Sequence, residues 1–192
     1  MQRRSSRSPS SSTTPAAAYW IYNDGIGTVI KMAGAYGAEI GIPLGHMLGA
    51  LLVAQLVGVP ATLAFARLDR QVGPKAGIEI ALAGYVAIAA VGIFMARPWH
   101  FWLLAGLVGL VQGGAQALSR SLYARLLPPG REAEYFSFFD VSGRMAGVAG
   151  PALFALFTSF GGSGRLGVGS VPIFFIAGAL LLRGVDLSGE SH

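Results

Sequence analysis

Six apolar runs of roughly twenty residues, separated by short charged connections, constrain this chain more than any other feature. They cover Ala16–Ala38, Leu44–Ala66, Ala76–Ala96, Phe101–Ala124, Phe138–Phe160 and Leu166–Leu182, the last being the shortest. A helix rises about 1.5 Å per residue, so each run approaches or exceeds the ~20 residues that cross about 30 Å of hydrocarbon. Strict apolar-polar alternation is absent, which argues against a transmembrane barrel. The expected fold is all-α and polytopic, with six transmembrane helices over residues 16–184. A basic, Ser/Thr-rich leader occupies residues 1–15 and a short tail occupies 185–192.

Charge supports the same class. Only 12% of the chain is charged and 53% is hydrophobic, whereas soluble domains carry about 25% charged residues. Most of the basic residues fall outside the apolar runs and sort by side, with Lys31, Arg120 and Arg144 inside the runs set apart. Arg3, Arg4, Arg7, Arg67, Arg70, Lys75, Arg125, Arg131 and Arg183 lie on one side, against Arg97 and Arg165 on the other. Basic residues accumulate on the cytoplasmic side, so both termini are expected there, in a multi-pass protein of the inner membrane. The leader MQRRSSRSPSSSTTP lacks the apolar bulk to order itself. Polar residues separate its arginines from the first apolar run, which favours an uncleaved first span over a secretory signal. Cysteine is absent, and with it disulfides and thiolate metal sites.

Polar groups inside the apolar runs are the candidate functional residues. From Gly109 to Glu134 the chain places Gln112, Gln116 and Arg120 at four-residue steps, so that they lie over one another on one helical face. Amides there suit either a polar path or a network tying helices together. In the first run, Asn23 and Asp24 belong to a pathway, or else to an interfacial or packing network. Asp24 would accept hydrogen bonds or pair with an arginine, because an unpaired charge in a membrane is costly. Asp140 and Arg144 stand four apart and fit a structural pair or conformational latch within one helix, or else substrate contact or plain interface charge. Arg67, Asp69, Arg70 and Lys75 crowd the second connection, as a topology signal or as a gate at the cytoplasmic face. Asp24 or Asp140 would be the acids through which transport could couple to protons.

Helix breakers occur at Gly58 with Pro60 and at Gly150 with Pro151, and Gly109 with Gly113 and Gly143 with Gly147 have the small-residue spacing of tight crossings. His46, His100 and His192 are too dispersed for a metal site. Nucleotide-loop and nucleophile-elbow motifs are absent, so an enzyme is not expected, nor is a cofactor. The basic leader is too short for a nucleic-acid site.

An ordered set of motifs adds a family likeness. Tyr22-Asn23-Asp24-Gly25, Tyr36-Gly37-Ala38-Glu39-Ile40-Gly41, and Ala66-Arg67-Leu68-Asp69-Arg70 with Gly73 and Lys75 come first. Gly109 to Arg125, Gly130-Arg131-Glu132-Ala133-Glu134, and Asp140-Val141-Ser142-Gly143-Arg144 with Gly150-Pro151 come after them. From about Ala17 to Leu187 the chain resembles the bacterial branch of the Atg22-like family of the major facilitator superfamily, over its carboxy-terminal six-helix half. The resemblance implies a secondary transporter that works by alternating access between two six-helix halves, with eukaryotic members associated with amino-acid efflux from the vacuole. It also implies a cytoplasmic gate signature at Arg67, Asp69, Arg70, Gly73 and Lys75, with Ala66 where a glycine is usual. Six spans are half of that unit, so a homodimer or a separately encoded six-helix half is the expected partner, beside the lipid bilayer and a small-molecule substrate, with amino acids among the candidates. The rival expectation is an inactive fragment or accessory membrane subunit.

Overall fold

The computed structural model describes residues 10–126 and 147–184, with side chains over 17–124 and 147–184. Among them every regular element is helical. These are α1 (Ser10–Glu39), α2 (Leu44–Gly92), α3 (Pro98–Leu126), α4 (Ala149–Gly161), α5 (Gly164–Ser170) and α6 (Pro172–Arg183). Asp140, Arg144, Arg131 and Gly143 lie outside the described residues, as does the first half of the fifth apolar run. Helix α1 begins at Ser10 and so takes in the end of the leader.

At 49 residues α2 would be about 74 Å long if straight, more than twice a bilayer core. It does not run straight. Gly73 has φ 80° and ψ 163°, a conformation open essentially to glycine alone, and Pro74 restarts the helix with φ already set. Contacts with α3 give the direction of each arm. Before Gly73, Gly49 meets Trp102, Ala54 meets Gly109 and Phe65 meets Gly114. After it, Gly77 meets Leu118 and Gly84 meets Val111. Residue numbers rise together in the first set and oppositely in the second, so the first arm (44–72) runs parallel to α3 and the second arm (74–92) antiparallel. One glycine reverses the chain.

Packing is most extensive between α2 and α3, between α1 and α6, and between α4 and α5. The second arm of α2 joins the first two of these pairs through α6, where Tyr85 stacks on Phe175 at 4.7 Å. Tyr22, Ile26, Ile78, Leu82, Leu118 and Leu182 fill the centre. Close helix approach at the expected glycine pair is present: a side chain at Gly109 would run into the backbone of Ala54, and one at Gly113 into Gly58 O and Thr62. The first arm continues through Gly58 and Pro60, where Thr62 Oγ1 donates to Gly58 O at 2.8 Å.

The outward faces are apolar. Leu48, Leu52, Leu56, Val59 and Leu63 form an exposed stripe along the first arm, a large liability in water and an ordinary lipid-facing surface in a membrane. By length and composition Leu44–Gly92, Pro98–Ala124 and the stretch Gly164–Arg183 can cross a bilayer, while Ala149–Gly161 is apolar but shorter. Helix α1 has the length but carries Asn23, Asp24 and Lys31, and is not among the helices that qualify by composition. The result is an all-α, multi-span membrane architecture.

Candidate functional site

The polar residues of α1 face the start of α4. Gly147 and Val148 are not helical, and α4 starts at Ala149. Pro151 suits this start: its ring would clash with the carbonyl four residues back, that of Gly147, and it brings no N–H to that carbonyl. Two backbone groups here have no partner within α4: Gly147 O as an acceptor and Gly150 N–H as a donor in the first turn. Helix α1 supplies a partner to each. Lys31 Nζ donates to Gly147 O at 3.0 Å, and Asp24 Oδ2 accepts from Gly150 N at 2.7 Å. Between them Thr28, fully buried, donates its hydroxyl to Asp24 O at 2.7 Å. Only glycine fits at position 150, since a Cβ there would overlap Thr28 Oγ1.

Asp24 is 4% exposed, and its Oδ1 is buried with no hydrogen-bond partner. Among the described residues it meets a backbone amide, not the arginine that the cost of a buried charge suggests. A second acid repeats the arrangement at the far end of α1, where Glu39 Oε1 accepts from Gly164 N at 2.8 Å. Asp24 and Glu39 thus hold the starts of α4 and α5, and α4 runs parallel to α1 between them. Glu39 is exposed, whereas Asp24 is enclosed.

One helical step away, Tyr22 meets α3. Its hydroxyl lies 2.6 Å from Ser119 Oγ in a buried contact. Ser119 spends its single proton on Ala115 O, so Tyr22 is the donor. Beside Ser119 runs the predicted stripe, with Gln112 half-buried and Gln116 and Arg120 exposed. These three side chains do not join the α1–α4 contact. Asn23 is half-buried beside Tyr22.

The predicted gate residues gather at one end. Arg67, Asp69 and Arg70 occupy the last turns of the first arm, Gly73 makes the reversal, and Lys75 opens the second arm. Lys75 Nζ donates to Arg183 O, 3.0 Å away, and Arg183 Nε lies 3.7 Å from Glu79 Oε1. Arg183 also borders an open apolar groove of about 310 Å³ between the second arm and α6, lined by Leu82, Val86, Phe175 and Ala179.

Sequence reasoning gives Tyr22, Thr28 and Ser119 no role of their own. A hydroxyl at 28, one turn after Asp24, is the available signal.

Residues 12–190 match the family described as vacuole effluxer Atg22 like. The chain belongs to the Atg22-like family. Its relatives include the uncharacterized MFS-type transporter YxiO of Bacillus subtilis, 35% identical over 165 residues, which are 86% of this chain and 39% of YxiO. Autophagy-related protein 22-1 of Aspergillus niger is 26% identical over 187 residues, covering 89% of this chain and 30% of the relative. Autophagy-related protein 22 of Cryptococcus neoformans is 29% identical over 168 residues, covering 77% and 30%. This Atg22-like chain therefore spans less than two fifths of these relatives' lengths.

Proposed function

We propose that this Atg22-like chain is the six-span second half of a secondary transporter for a small solute, with amino acids as the first substrates to test. The observation that carries this is the stripe of Gln112, half-buried, and Gln116 and Arg120, exposed, on a largely apolar α3. Polar groups facing lipid are expensive, and one wall of a path shared with a second half gives them a wet neighbour. Transporter sites of this kind lie between repeats near the midplane. The second half is a further copy of this chain or a separately encoded one.

Six spans result if α1 crosses, α2 crosses twice about Gly73, α3 crosses once, and α4 and α5–α6 complete the fifth and sixth. The end holding Arg67, Arg70, Lys75 and Arg183 faces the cytoplasm on this assignment, and Arg97 and Arg165 the opposite side. Arg67, Asp69, Arg70, Gly73 and Lys75 then act as a cytoplasmic gate, with Asp140 and Arg144 as a latch. YxiO is called an MFS-type transporter and the family an effluxer, which supports the transport class.

Native mass spectrometry in nanodiscs, then uptake of an amino-acid panel into proteoliposomes, tests the assembly. A dimer or heterodimer whose uptake falls at least tenfold in Gln112→Leu/Gln116→Leu is the expected result. A strict monomer without uptake, alone and with a co-expressed partner half, would leave an inactive fragment or accessory subunit.

A further inference from the structure

Among the described residues the Asp24 Oδ1 and Tyr85 hydroxyl oxygens are both buried without a hydrogen-bond partner, and Asp24 Oδ1 belongs to an acid. A carboxylate offers about four acceptor positions. Here Oδ2 receives one N–H, from Gly150, and Oδ1 receives none. Neighbouring donors are committed elsewhere: Thr28 Oγ1 to Asp24 O, Lys31 Nζ to Gly147 O, and Tyr22 to Ser119. A helix cap needs only Oδ2. A buried carboxylate oxygen without a donor carries the full cost of its lost hydration, and binding a cation there removes it.

We propose that Asp24 is a proton-binding site, exchanging a proton on Oδ1 and thereby setting the strength with which α1 holds the start of α4. Hydronium delivers the proton, the carboxylate becomes a neutral carboxyl, and water leaves; the reverse step restores the anion. Oδ2 goes on accepting from Gly150 in both forms. Only with the anion is that bond charge-assisted and favoured by the helix dipole, so protonation weakens the α1–α4 junction without abolishing it.

The described surroundings favour a proton over a larger cation. Helix α4 contributes no titratable side chain, and α6 contributes only Arg183, at its far end. Helix α3 meets α1 here through Ser119, with Arg120 exposed. On α5, Arg165 lies at the Glu39 end, and on α1 itself Lys31 is the nearest cation. The described residues bring together no group of carboxylates and histidines fit to hold a metal ion. The proposal rests on the transport reading only for what the proton would drive.

The test is pH-difference infrared spectroscopy on the full chain in nanodiscs. Within the protonated-carboxyl C=O absorption that grows as pH falls, a high-frequency component of a dehydrated carboxyl is expected in the wild type and in Glu39→Gln, lost in Asp24→Asn, and shifted in Asp24→Glu. Asparagine retains an acceptor for Gly150, and circular dichroism verifies that the variant is folded. A band unchanged in Asp24→Asn, or no such band in the wild type, overturns the assignment. So does a band abolished at constant pH by sodium but not by choline, since a metal cation would then own the site. A titrating Asp24 band in a chain that fails every uptake assay sustains the proton site and removes only the transport reading.

Discussion

At the scale of single residues, the α1–α4 junction has no spare volume. Gly150 presses on Thr28, whose side chain is fully buried and tied to Asp24 O. Gly150→Ala should therefore destabilise the protein by about 1–3 kcal/mol, the ordinary cost of overpacking. Thermal unfolding in detergent measures this, and Thr28→Ala in the same chain should recover more than half of the loss. Additive losses would mean that the methyl group collides elsewhere. The Tyr22–Ser119 contact is smaller in effect. Interhelical hydrogen bonds in membranes average about 0.6 kcal/mol, because the separated helices also find partners. A double-mutant cycle of Tyr22→Phe and Ser119→Ala should return a coupling of about that size, and a value near zero would mean the contact is incidental.

At the scale of elements, the sharpest constraint is the reversal within α2. Gly73 alone joins two arms that pack on α3 in opposite directions. A Cβ at Gly73 would meet nothing within 4 Å, so the penalty of a substitution comes from backbone conformation and not from space. Gly73→Ala should cost about 1–3 kcal/mol, read as a lower unfolding temperature, and Gly73→Asn should cost as much, because asparagine tolerates positive φ in the left-handed helical region and not at ψ 163°. Equal stability of all three would show that the reversal is carried by Pro74 instead. The start of α4 works on another principle. Pro151 brings no N–H to Gly147 O, the Gly150 N–H lies in the first turn, and the complementary ends of Lys31 and Asp24 take up both groups. A helix start within a membrane protein is tolerated where neighbouring side chains satisfy its free backbone groups.

At the scale of the whole molecule, charge separates the two ends of the bundle. Lys75 and Arg183 meet at one end, and Arg97 lies between α2 and α3 at the other. The chain contains no cysteine, so single-cysteine labelling has no background. In sealed inside-out vesicles, Lys75→Cys should react with a membrane-impermeant maleimide and Arg97→Cys should not, with the pattern reversed in spheroplasts. Equal labelling from both sides would remove the proposed orientation. The exposed leucine stripe of the first arm and the polar stripe of α3 are the two surfaces on which the molecule differs most from a self-contained bundle. Lipid suits the first. The second needs water or another polar surface.

Much of this architecture was determined by the sequence alone. The apolar runs dictate helices that cross a membrane, because unpaired backbone groups are prohibitive in hydrocarbon and a helix satisfies them within one segment. The four-residue spacing of Gln112, Gln116 and Arg120 put them on one face without any tertiary information, and the close approach at Gly109 and Gly113 was visible as spacing. The fate of Asp24 was not visible. Its partner lies 126 residues away, and that of Tyr22 lies 97 away. Which backbone amide reaches a given carboxylate depends on where a helix breaks and on which neighbour packs there, and neither is encoded near the acid in the chain. The tertiary structure decided that Asp24 would hold the start of α4 with one oxygen and keep the other free. It did so because α4 starts, with a free backbone N–H at Gly150, at the level of the bundle where α1 carries a buried acid.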